Sequence, residues 1–128
     1  MRYLTLVSIV LLALAMPACD GPTAGEISID LVTPNTSDGA ILFKLRAPSS
    51  GEFGDVAAAC SGCQVFSYRV TESEVYCVVT GSLTSGPLAR VVVSNAGARG
   101  IYEMTILEVS GVDRRLRSDV GYALKLAN

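Results

Sequence analysis

Residues 64–80, QVFSYRVTESEVYCVVT, decide the fold class. Two runs rich in β-branched and aromatic residues flank the polar stretch Thr71-Glu72-Ser73-Glu74. Such runs suit a pleated, half-buried surface, and a short polar link between them signals a hairpin. Closing the hairpin at that turn sets Val70 opposite Val75, Tyr68 opposite Cys77 and Phe66 opposite Val79. One face then holds Phe66, Tyr68, Val70, Val75, Cys77 and Val79, apolar but for one hydroxyl, and is expected in the core. The other holds Ser67, Arg69 and Thr80 with Val65, Tyr76 and Val78.

The flanking segments repeat the period of two that marks strands. Towards the C-terminus, residues 87–94 open on Pro87, where a proline removes no important ladder bond, and set Val91 and Val93 against Arg90. After a turn at 95–100, residues 101–109 (IYEMTILEV) form the longest alternating run, with Tyr102, Met104 and Ile106 opposite Glu103 and Thr105. A polar loop at 110–119 leads to 120–126, where Val120, Tyr122, Leu124 and Leu126 share a face. Towards the N-terminus, residues 26–33 align Ile27, Ile29 and Leu31, and residues 40–46 align Ile41, Phe43 and Leu45. The turn cluster at 34–39 between them predicts a hairpin, or alternatively a crossing between sheets. Residues 47–55 read as loop, and 56–60 (VAAAC) as one helical turn or a short edge strand. Seven short strands with no sustained helical period predict a single all-β domain over residues 26–128. The expected architecture is a two-sheet antiparallel sandwich, with a barrel as the alternative.

The first residues carry an address. Arg2 precedes an apolar run from Leu4 to Ala15, then Met16-Pro17-Ala18-Cys19. A charged start, a short apolar run and small residues before a cut site make a secretory signal over residues 1–18. The run is too short to span a bilayer, which needs roughly 20 apolar residues. Cleavage after Ala15 or Ala18 predicts a secreted protein. The stretch also resembles the lipobox of bacterial lipoproteins. That resemblance implies a diacylglyceryl thioether on Cys19, a lipid anchor in the membrane and a location in the bacterial cell envelope, facing periplasm or exterior. Here Met16 stands where the usual leucine would be. Residues 19–25 then become the lipidated cysteine and a short tether. Asp20 is similar to an inner-membrane retention signal.

Composition excludes several chemistries. The net charge is −2, and becomes −3 once Arg2 leaves with the signal, so nothing points to nucleic acid. The chain has no histidine, which removes the commonest general base and metal ligand, and no tryptophan. No Gly-x-Ser-x-Gly or Ser-x-x-Lys motif is present.

Two stretches carry a further resemblance. Leu31-Val32-Thr33-Pro34-Asn35 with Asp38-Gly39-Ala40-Ile41-Leu42-Phe43 is similar to the opening strands of cohesin-like and carbohydrate-module-like sandwiches. Gly86-Pro87-Leu88-Ala89-Arg90-Val91-Val92-Val93, with Gly100-Ile101-Tyr102-Glu103-Met104-Thr105-Ile106, resembles their closing strands. Together they cover about half of the chain beyond the signal. Similar arrangements occur in small uncharacterised lipoproteins of environmental bacteria. The resemblance implies an immunoglobulin-like sandwich fold, with no binding residues carried over.

Cys60-Ser61-Gly62-Cys63 admits three readings. A redox pair wants its first cysteine at a helix N-terminus, yet a strand follows. A zinc site from Cys60, Cys63 and Cys77 lacks a fourth ligand. A structural disulfide suits an exported protein. Strand parity disfavours Cys63 with Cys77, so a local Cys60–Cys63 bridge is expected, with Cys77 a buried free thiol. A fold-back that brings Cys60 to Cys77 is the alternative. Asn35, Asp38 and Gly39 offer too few oxygens for calcium and read as turn chemistry. Arg114, Arg115 and Arg117 form the one basic cluster, read as a solvated loop or a contact with anionic headgroups or cell-wall polymer. Glu72 with Glu74 sits at a hairpin tip, and parity sets Glu103 and Glu108 on opposite faces, so neither pair suits glycoside hydrolysis. With Tyr68, Tyr102 and Tyr122 expected inside, Tyr76 is the ring left for an outer face. The expectation is a non-enzymatic binding or scaffolding protein of the envelope, without metal or cofactor, engaging an envelope protein or glycan. A cohesin-like or carbohydrate-binding module, and a thiol/disulfide protein using Cys60 and Cys63, are the alternatives.

Overall fold

A computed structural model describes residues 23–48 and 51–127. The signal segment and Cys19 lie outside the described residues. Among the described residues there is no α-helix. Nine strands follow in order: β1 (Gly25–Val32), β2 (Asp38–Arg46), β3 (Phe53–Ala58), β4 (Gln64–Thr71), β5 (Glu74–Leu83), β6 (Gly86–Val93), β7 (Glu103–Ser110), β8 (Leu116–Arg117) and β9 (Ala123–Leu126). They build two antiparallel sheets, ordered β3-β6-β1-β9 and β4-β5-β2-β7-β8. The fold is a β-sandwich, as the alternation predicts. Its core interleaves Ile27, Ile29 and Leu31 of β1 with Ile41, Phe43 and Leu45 of β2, Val75, Cys77 and Val79 of β5, and Leu88, Val91 and Val93 of β6, all buried.

Several expectations are corrected. β1 and β2 do not form the hairpin, and the alternative reading, a crossing between sheets, holds. β1 lies between β6 and β9, β2 lies between β5 and β7, and residues 33–37 cross between the sheets. The turn residues there mark a reversal, but they do not encode which layer the next strand joins. An edge strand forms at Phe53–Ala58: of the two readings of 56–60 the short edge strand holds, and it begins three residues earlier, within the expected loop. As an edge strand it needs one ladder only, with β6, so its Gly54, Ala57 and Ala58 carry no apolar rhythm. Residues Arg99–Ile101 make a 3-10 turn instead of opening β7. Val120 sits in a turn with Gly121 at φ 86°, and is 78% exposed instead of facing the core.

The largest correction falls on the hairpin. The pair Thr71–Glu74 keeps the register read from the turn, but an irregularity between Arg69 and Thr71 takes up one residue. Beyond it the partners are Arg69–Val75, Tyr68–Tyr76, Ser67–Cys77, Phe66–Val78 and Val65–Val79. A one-residue slip turns every side chain over. Val75, Cys77 and Val79 stay in the core, while Phe66, Tyr68 and Val70 turn outwards. A second irregularity, between Leu42 and Phe43, leaves Leu107 as the extra residue of β7 and returns Val109 to the core.

The sandwich has two distinct ends. Gly25 pairs with Val93, and the Thr23 carbonyl accepts a hydrogen bond from the Ala96 amide at 2.8 Å. The chain therefore enters at the end that carries the β4–β5 turn and residues 94–102. The opposite end gathers residues 33–38, 59–63, 83–86 and 110–122.

Candidate binding surface

The outer face of the five-stranded sheet carries two large exposed rings, Phe66 and Tyr68, together with Lys44, Glu103 and Glu108. The registers place Phe66 and Tyr68 of β4 beside Tyr76 and Val78 of β5, then Leu42 of β2 beside Glu108 of β7. Leu116 of β8 continues the row through Ser110 and Ala40. Phe66 is 59% exposed and Tyr68 72%. The slipped register sets both rings on the outer face. β4 is also the outermost strand of its sheet, and Val65 is its only residue that is partly buried. An open depression of about 190 Å³ lies between Ala40, Leu42, Val78, Glu108, Ser110 and Leu116. A second, of about 270 Å³, adjoins it through Ala40 and Ser110 and ends at Arg114. Rings in a row beside aliphatic side chains can stack on a sugar or on an apolar peptide. Tyr76 lies on this face, as its sequence position implied. Phe66 and Tyr68 were missed because the unslipped register buries them. No residue of the strand signals the slip, since Arg69 suits the solvent face in the unslipped register.

Cys60 and Cys63 are joined in a disulfide, with Cα atoms 5.5 Å apart, in the link between β3 and β4. This bond removes the zinc reading, and no helix follows it to activate a thiol. Gly81, at φ 147°, brings β5 against it, and a Cβ there would meet Cys63 Cα at 3.2 Å. Cys77 is a free thiol with no exposed surface, and burial pushes its pKa from 9.0 to about 12.

Asp38 is the one fully buried charged side chain among the described residues. Its carboxylate accepts hydrogen bonds from Thr33 Oγ1 at 2.6 Å, Tyr122 Oη at 2.8 Å and Asn35 Nδ2 at 3.4 Å. Arg117 Nη1 approaches it at 3.8 Å. Arg117 reaches Asp38 by crossing Gly111, where any Cβ would collide with the guanidinium. Asp38 is thus occupied as the knot that ties the 33–37 crossing to β8 and the start of β9. Arg117 belongs to that knot, whereas Arg114 and Arg115 are exposed. All three lie at the end opposite Gly25. Tyr102 is buried, and its hydroxyl bridges the amide and carbonyl of Asn95, both at 3.1 Å.

The carboxylates do not assemble into a pair. The β7 irregularity overturns the parity argument: Glu103 opposes Arg46 and Glu108 opposes Leu42, so both point outwards. Four positions along β2 still separate them by about 13 Å, beyond the span that works on one glycosidic bond. Among the described residues no three His, Cys, Asp or Glu side chains could hold a metal ion. No protein-family model matches the chain, and no curated protein is found similar to it.

Proposed function

We propose that this chain is an exported envelope protein, anchored by lipid on Cys19, that works as a non-catalytic binding or scaffolding module. The address read in residues 1–19 supports export and anchoring. One observation carries the binding role: exposed Phe66 and Tyr68 stand beside Tyr76 on an outer sheet face. Rings that serve only stability are normally buried, and an exposed apolar patch marks an interaction surface. The exposure of Tyr68 also favours the carbohydrate-module alternative, because three neighbouring rings can stack on pyranose faces.

Two measurements on one set of strains test this reading. Cys19→Ser should abolish incorporation of a labelled fatty acid and move the protein out of the membrane fraction. Tyr68→Ala should weaken retention on an immobilised cell-wall glycan about tenfold, the loss of one stacked ring at about 1–1.5 kcal/mol. Unchanged retention would leave protein partners as the ligand class. Unchanged fatty-acid labelling in Cys19→Ser would end the anchor.

A further inference from the structure

We propose that β4 is a self-pairing edge, on which a second copy of this chain adds its own β4 in antiparallel register about a two-fold axis at Ser67. This inference does not depend on export or on the lipid anchor. β4 is an eight-residue outermost strand, and its side chains are exposed on both faces. Edges of this kind offer unpaired amides and carbonyls to another strand, and proteins usually blunt them with proline, lysine or a covering element. Gln64–Thr71 contains neither proline nor lysine. Its one charge, Arg69, is drawn back onto β3, where Nη2 donates to the Gly54 carbonyl at 3.4 Å. The ladder stays regular from Gln64 to Arg69, and the irregularity lies beyond that stretch.

The occupant follows from the strand's own sequence. A two-fold axis perpendicular to the sheet keeps outer side chains on the outer face when paired positions sum to an even number. Centring the axis on Ser67 sets Ser67 opposite its own copy, Phe66 opposite Tyr68 and Val65 opposite Arg69. Cross-strand aromatic pairs stabilise antiparallel ladders. The two Arg69 side chains fall four positions apart, about 13 Å, so like charges do not meet. The existing Tyr68–Tyr76 and Phe66–Val78 pairs then extend into rows of Tyr76, Tyr68, Phe66 and Val78 across both copies. The strand is self-complementary in this register, and the dimer doubles the row of rings available to a ligand.

The test is cysteine cross-linking of the full chain in mild detergent. Directly opposed residues lie about 4.5–5.5 Å apart at Cα, within disulfide reach. Because position 67 lies opposite the free thiol of Cys77, the cysteine variants are made in a Cys77→Ala background. Under mild oxidation, Ser67→Cys should yield a covalent dimer whose digest contains the segment around position 67 linked to its own copy. The yield should exceed that of Thr84→Cys, an exposed site on the β5–β6 link, by at least tenfold. Adding Phe66→Ser and Tyr68→Ser should remove that excess while the far-ultraviolet circular-dichroism spectrum of the folded protein stays unchanged. A Ser67→Cys yield no greater than the Thr84→Cys yield would overturn the proposal. So would linkage from position 67 mainly to another polypeptide, which would make a foreign extended segment the occupant.

Discussion

Cys77 sits between Phe43 and Ser67 on its two flanking strands, with no exposed surface. Burial disfavours the thiolate and raises the pKa from 9.0 to about 12. A group held above its unfolded value adds stability that is complete below the unfolded pKa. That stability is lost as pH climbs, because the unfolded chain releases a proton which the folded chain keeps. Wild type should therefore lose about 1.4 kcal/mol per pH unit through this thiol between pH 9 and 12. Cys77→Ala should be less stable at pH 8, and its urea midpoint should fall less steeply towards pH 11. Equal slopes would show that the thiol ionises freely. Asp38 is a buried charge matched by hydrogen-bond donors. Asp38→Ala would strip Thr33 and Tyr122 of their acceptor and Arg117 of its counter-charge, at about 3 kcal/mol, the low end for a buried pair because Arg117 is one-third exposed. Tyr122→Phe removes one donor and should cost about 1 kcal/mol. Urea denaturation of both variants checks the ratio, and comparable losses would place the knot's strength elsewhere.

Among the strands, β4 separates two accounts of the same residues. In the slipped register, Phe66→Ser and Tyr68→Ser should each change stability by less than about 0.5 kcal/mol, as surface substitutions do. Phe43→Ala, in the middle of β2, should cost about 3–5 kcal/mol. Thermal unfolding of the three variants distinguishes the accounts, since the unslipped register would give Phe66 a core-sized loss. The contrast also explains what the sequence could and could not reveal. Strands with one face in the core and one in water announce themselves by alternation, so β1, β2 and β6 were legible to within a residue or two, while β5 runs three residues beyond its expected end, to Leu83. The turn was placed correctly at 71–74, but the nearest pair read from it, Val70 with Val75, does not form, and Arg69 stands opposite Val75 instead. A single extra residue at the end of β4 then reversed its faces, and neither Val70 nor its neighbours carry a glycine or proline to signal it. The same blindness moved Glu108 to the outer face through Leu107. β3 was hidden for another reason, because an edge strand of small residues has little apolar pattern to show. Thus the core of the sandwich could be read from period two, while the candidate surface depended on irregularities that have no period.

The two ends and two faces of the sandwich become unequal once the chain's entry point is considered. Thr23 is fastened to the Ala96 amide, and four residues separate it from Cys19, a reach of at most about 14 Å. If Cys19 holds the lipid, the domain cannot stray far from the bilayer. A copy standing upright would carry Arg114 and Arg115 away from the headgroups, against the contact first imagined for them. Two copies joined through β4 cannot both stand upright, because the antiparallel pairing sends one Gly25 up by roughly the length of β1, about 26 Å, which exceeds the tether. Both anchors reach one membrane only if the joined sheet lies parallel to it. The tether leaves from β1, in the four-stranded sheet, so that sheet should face the lipid and the aromatic face should face outwards. The chain contains two lysines that serve as natural reporters. Lys125 pairs across from Asp30 on the outer side of the four-stranded sheet, while Lys44 stands between Tyr76 and Thr105 on the outer side of the other. On the lipid-anchored protein in vesicles, an amine-reactive reagent should modify Lys44 as fast as it does in detergent. Modification of Lys125 should slow at least fivefold. Equal rates at both lysines would mean that the domain stands clear of the surface. Protection of Lys44 with Lys125 free would mean that Phe66 and Tyr68 rest in the headgroups, and would reverse the orientation argued from the tether.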